Sequence, residues 1–164
     1  MASLEARIRA DPEWQRGAAF HGHPGETVGD HVEEVLANVE RCAEPALRSR
    51  LRVIAIVHDA MKHRVRWWRP DHARLAARFA RAYVDDPSVL KVIARHDDAY
   101  RAWRLGRRTG LWPLADWRAR RLVADLGDDL ELFRAFYRCD NETGAKAPDD
   151  RTWFDAIVTG GLKR

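Results

Sequence analysis

Long apolar stretches are missing from this chain of 164 residues; the longest unbroken run is VIAIV, Val53 to Val57. A bilayer-spanning helix needs about 20 predominantly apolar residues, so no membrane span is expected. Cysteine is nearly absent as well. Cys42 and Cys139 stand far apart in the sequence and match neither a disulfide framework nor a cysteine metal motif, so free thiols in a reducing compartment are expected. The opening residues, MASLEARIRADPEW, carry acids early and no long apolar stretch, which argues against a signal peptide and for a cytoplasmic chain. No segment sustains the apolar–polar alternation of a half-buried strand, and there is no internal repeat, low-complexity tract or linker. This length, with 46% hydrophobic residues, suits one domain around one sizeable core.

Lysine is also scarce. It supplies four of the 29 basic residues, arginine supplies the others, and the formal net charge is +4. A coding sequence rich in G and C produces such a bias. So does an anionic partner, because the planar guanidinium binds phosphate in bidentate fashion. The bias is uneven: from Arg101 to Arg121 there are seven arginines and a single acid, Asp116.

What the chain does have is helical periodicity. TVGD at Thr27 reads as a capping box opening a helix to about Cys42, with Val28, Val32, Val35, Leu36 and Val39 as its apolar stripe. Further helices are expected from Pro45 to His58, from Asp71 to about Tyr83 after Pro70 in the first helical position, and onward from Asp86-Pro87. Three more are expected from Pro113 to Leu126, Asp128 to Cys139 and Asp150 to about Thr159. The expected architecture is a single compact all-α helical bundle.

Titratable residues lie on those apolar stripes. Positions three, four and seven apart share one helix face. His58 follows Leu51, Ile54 and Ala55 at these spacings, and His31 lies between Val28 and Val35. His72 precedes Leu75, Ala76 and Phe79; His96 follows Val89, Val92 and Ile93; Asp140 follows Phe133, Phe136 and Tyr137. Each alone has an ordinary explanation as a hydrogen-bonded core residue or a helix cap. Together, four imidazoles and two carboxylates in one small core would cost several kcal/mol unless something compensates. A divalent cation compensates, because it takes neutral imidazole nitrogen and carboxylate oxygen as ligands.

This ordered set, His31 in VGDHVEEVL, His58-Asp59 in HDAMK, His72 in DHARLAARFA, His96 in IARHDD and Asp140 in RCDNETG, resembles the HD-domain superfamily of metal-dependent phosphohydrolases across roughly Thr27 to Gly144. The resemblance implies a helical bundle of the HD type. His31, His58, Asp59 and Asp140 would hold a first metal, and Asp59 would bridge to a second held by His72 and His96. Lys62 matches the lysine of the family's HDxGK, with Met61 in place of glycine. Members with a strong two-metal site often carry paired histidines where this chain has His96-Asp97.

The function expected from the resemblance is hydrolysis of a small phosphorylated substrate, a nucleotide first among them, by a phosphatase or phosphodiesterase. It would use one or two divalent ions of manganese, magnesium, nickel, cobalt, zinc or iron. A metal acidifies water and neutralises phosphoryl charge. Lys62 is the candidate phosphate contact, with Arg66, Arg69 or Arg101 assisting; an exposed lysine after a helix end is the plainer explanation of Lys62. His63 and Asp97 are candidate proton donors to the leaving oxygen, against structural roles for both. Trp67 and Trp68, set between arginines in RVRWWRPD, suit a stacked base beside a phosphate, or simply pack on neighbouring helices. His21 and His23 precede the first ligand helix without a face to fix them, and Glu33 and Glu34 read as its solvated side. Two other functions fit the same residues. One is a di-iron oxygenase of the same superfamily. The other is a non-catalytic basic module binding nucleic acid, although no helix-turn-helix or zinc-finger pattern is present.

Overall fold

Side-chain caps open several of the helices. The computed structural model describes residues 3–22, 25–65, 71–143 and 149–161. Ser3 caps α1 (Leu4–Arg9) and Asp11 caps α2 (Pro12–Ala18). Thr27 and Asp30 close the expected capping box on α3 (Val28–Cys42), each accepting the other's backbone N–H at 3.0–3.1 Å. There follow α4 (Pro45–Val57), a 3-10 turn at Lys62–Arg64, α5 (His72–Ala80), α6 (Pro87–Arg95), α7 (Asp98–Thr109) and α8 (Trp112–Leu126). A second 3-10 turn at Gly127–Asp129 leads into α9 (Leu130–Asn141), and α10 (Asp149–Val158) comes last. Among the described residues there is no β-strand and no helix long and apolar enough to cross a membrane. The fold is all-α.

α4 is the central helix. It packs against α1, α3, α5, α6 and α9, so every residue from Val53 to Met61 is buried. A helix buried all round has no face to spare for charge, yet this stretch ends in His58 and Asp59. Its neighbours are pinned by specific contacts. The Trp14 indole donates to the Ile56 carbonyl at 2.8 Å, and Asn38 of α3 donates to the Cys139 carbonyl of α9 at 2.9 Å. α2 lies so close that a Cβ on Gly17 would sit 1.8 Å from the Ala60 carbonyl oxygen. Only glycine permits that approach.

A second region lies to one side. α7 and α8 form a helical hairpin, turned at Gly110 (φ 72°), with α10 packed on both. A Cβ on Gly106 would fall 2.3 Å from the Trp112 ring, so glycine lets the two helices meet.

The structure shifts several expected boundaries. The helix expected to reach Tyr83 stops at Ala80, where Tyr83 and Val84 both turn back to the Ala80 carbonyl. The helix expected from Asp128 begins at Leu130, because Gly127 (φ 54°) opens a 3-10 turn first. α1, α2 and α7 were not expected at all.

Candidate metal centre

Five helices deliver titratable groups to one buried place. His31 comes from the second turn of α3, His58 and Asp59 from the end of α4, His72 from the start of α5, His96 from the end of α6 and Asp140 from the last turn of α9. All six are buried. They fall into two triads, His31–His58–Asp140 and Asp59–His72–His96, in each of which the potential ligand atoms lie within 4.8 Å of one another.

α4 and α6 end alike. The Nδ1–H of His58 donates to the Ala55 carbonyl at 2.8 Å, and that of His96 to the Ile93 carbonyl at 2.9 Å. Each bond fixes the tautomer and turns Nε2, with its lone pair in the neutral ring, toward the cluster. Asp59 lies between the triads and faces both. Its Oδ2 is 3.3 Å from His58 Nε2 and 3.9 Å from His31 Nε2. Its Oδ1 is 3.1 Å from His72 Nε2 and 3.5 Å from His96 Nε2. Asp140 Oδ1 is 2.9 Å from His31 Nε2 and 3.6 Å from His58 Nε2. The Phe136 ring meets His58 edge to face at 5.2 Å and supplies an apolar wall.

Charge is not balanced within this pocket. Burial lowers the pKa of His31 and of His72 below the ordinary histidine value. Burial works the same way on His58, but the Asp59 and Asp140 carboxylates outweigh it and push the imidazole up to about 9. Their combined field thus favours a cation at this point. His58 Nε2 is also buried without a well-formed hydrogen bond. A buried nitrogen aimed at two carboxylates and lacking a hydrogen bond fits the part of a metal ligand. The donor set of imidazole and carboxylate fits a divalent metal, and these clusters can hold one.

The remaining candidates divide. Lys62 Nζ lies 2.5 Å from Asp59 Oδ2, on the rim of the cluster. Asp97 accepts from Arg101 Nε at 2.8 Å; burial would raise its pKa, but His96, His72 and Arg101 hold the carboxyl below the usual range. His63 turns elsewhere, donating from Nδ1 to the Ala60 carbonyl at 3.1 Å and placing Nε2 2.8 Å from Glu13. Arg66, Trp67 and Arg69, with Trp68 and His23, lie outside the described residues.

Sequence reasoning missed Glu26. Its Oε1 is buried without a hydrogen-bond partner and lies 3.8 Å from His31 Nδ1, and together with Glu34 it forms a third acidic group around that histidine. A carboxylate behind a ligand histidine commonly orients the ring. Glu26 sits in the loop before the Thr27 cap, where no periodicity could single it out. Glu34 is exposed, and Glu33 accepts from Arg9 at 2.6 Å on the surface, as the solvated side of α3 should. No protein-family model, curated protein or solved structure matches this chain.

Proposed function

We propose that the chain is a metal-dependent phosphohydrolase acting on a small phosphorylated substrate, foremost a nucleotide. One observation carries the reading: six residues separated by up to 109 positions meet as two triads joined by Asp59. Their order and identity are those of the HD-type hydrolases that the sequence resembles.

Four imidazoles to two carboxylates favour manganese, iron, cobalt, nickel or zinc over magnesium, which prefers oxygen ligands. When bound, such an ion supplies Lewis-acid neutralisation of the phosphoryl oxygens and an acidified water. The chain's own residues do the rest. His31, His58 and Asp140 would hold one ion and His72 and His96 another, with Oδ2 of Asp59 facing the first group and Oδ1 the second. Lys62 brings a positive charge to the rim for a phosphoryl oxygen, and Arg101 stands behind Asp97 as a second. His63 is engaged by Glu13 and Asp97 is held ionised, so neither is kept as the proton donor to the leaving oxygen; Arg66, Trp67 and Arg69 lie in sequence between Asp59 and His72 and are the candidates to meet the substrate.

A specific observation favours a second reading. Each triad is two histidines and one carboxylate, the set that non-haem iron oxygenases use. Phosphate release from a panel of nucleotides and phosphosugars, measured with each metal in turn, separates the two. The hydrolase reading expects phosphate release that His58→Ala abolishes while the helical circular-dichroism spectrum persists. Full activity in His58→Ala would reject it. Oxygen uptake by the iron-loaded protein, without phosphate release, would establish the oxygenase.

A further inference from the structure

Arginine is dense on α7 and α8. Around the bundle, many arginines are matched by acid: Arg9 by Glu33, Arg50 by Asp86, Arg52 by Glu5 and Glu40, Arg134 by Asp155. Arg107, Arg108, Arg118 and Arg120 have no acid partner among the described residues, and all four are exposed. Arg104 and Arg121 lie instead over the rings of Tyr100 and Trp117, at 5.5 and 5.7 Å. Among the described residues, exposed arginine without an acid partner also occurs at Arg7, Arg78 and Arg81, but only the hairpin sets several such arginines beside an exposed indole.

Aromatic surface accompanies the charge. Trp117 is 55% exposed, the most open large apolar side chain among the described residues. It borders a groove of about 320 Å³ between α7 and α8 that Arg95, Arg101, Arg118 and Arg121 also line. The two acids in the groove, Asp98 and Asp125, are both engaged by Arg95, at 3.0 and 3.2 Å. Arg101, which also lines the groove, donates from Nε to Asp97, the sequence neighbour of His96. α7 is 12 residues long and runs for about 18 Å.

We propose that the α7–α8 hairpin is a docking track for single-stranded nucleic acid, with Arg107, Arg108, Arg118 and Arg121 taking backbone phosphates and Trp117 stacking on a base. Unpaired arginine beside an exposed indole along a groove is how sequence-tolerant single-strand sites are built. A duplex hides its base faces from such a ring, whereas a single strand offers them. A lipid surface is flat and would be met by a convex face rather than by a groove. The further role of the track, guiding a strand end toward the metal centre past Arg101, rests on the hydrolase reading; binding to the track does not.

The test is fluorescence anisotropy of a labelled single-stranded oligonucleotide, RNA or DNA, with the full chain in excess chelator over a salt series. Chelation separates the two claims, since binding is then read without catalysis. Saturable, salt-sensitive binding is expected, weakened about tenfold by Trp117→Ala. The double variant Arg118→Ala/Arg121→Ala is expected to flatten the salt slope by about 1.4, two single-strand phosphate contacts. Arg134→Ala, which removes a paired arginine, is expected to bind as the parent does. Absence of binding at low salt, parental binding by the Trp117 and double-arginine variants, or equal weakening by Arg134→Ala would overturn the proposal. So would Trp117-dependent binding to phosphatidylserine vesicles without oligonucleotide binding, which would assign the exposed Leu111, Leu114 and Trp117 to a membrane surface.

Discussion

The end of α4 and the α7–α8 hairpin are both crowded with charge, and they handle it in opposite ways. At the end of α4 the charged groups are buried, face one another and are fixed by hydrogen bonds to helix carbonyls. On the hairpin they are exposed and mostly arginine, and Arg107, Arg108, Arg118 and Arg120 have no acid partner among the described residues. Buried charge persists only where its partners are set, because an uncompensated ion in a core is costly. Exposed charge costs little and is free to wait for a ligand. The first region is therefore suited to a small cation, and the second to a large anionic partner.

Substitutions can break that contrast. The largest effect is expected at Asp59, the residue that faces both triads. Asp59→Ala is expected to lower catalysis about a thousandfold, the several kcal/mol that Lewis-acid stabilisation supplies, in a steady-state assay of phosphate release. A variant within tenfold of the parent would show that the bridge is dispensable. Next is Gly17→Ala. Its Cβ would meet the Ala60 carbonyl oxygen at 1.8 Å, so α2 must move off the turn that carries Asp59. Overpacking of this kind costs about 1–3 kcal/mol, read as a fall in Tm. A stability equal to the parent's would mean that α2 does not support the site.

A smaller effect is expected from acid. The hydrogen bond from Arg64, aided by Arg16 and His63, holds Glu13 at about 2, well below the usual 4.5. The folded pKa is depressed, so this contribution to stability is complete above about pH 4.5 and is lost as pH falls toward 2. Glu13→Gln should flatten the Tm profile across that window; an unchanged slope would place the acid sensitivity in other carboxylates. Least affected should be Trp117→Ala, which removes an exposed ring and changes stability by less than about 0.5 kcal/mol. A large loss of Tm there would make the indole a packing residue and erase the contrast between the regions.

The same contrast explains what the sequence revealed. His31, His58, His72, His96 and Asp140 stood out because each shares a helix face with Val, Leu, Ile or Phe, and burial enforces that register. α7 did not stand out. It buries only Ala99, Ala102 and Gly106, small residues that carry almost no hydrophobic signal, while its arginines dominate the composition. α1 and α2 are six and seven residues long, too short to display a period, and α2 is held by the single indole of Trp14 and the close approach at Gly17. Convergence of the five helices is a tertiary fact, set by packing around α4, and no local pattern encodes it. The two thiols make the same point: distant in sequence, Cys42 and Cys139 line one cavity between α3 and α9.

The most direct measurement is metal content per chain after loading with manganese, iron, cobalt, nickel or zinc and removal of the excess, on the parent protein and on His58→Ala. At least one tightly held ion per parent chain is predicted, with a clear loss in the variant. A parent that retains no ion above background, or a variant that retains as much, would contradict the reading of these six side chains as a cation site.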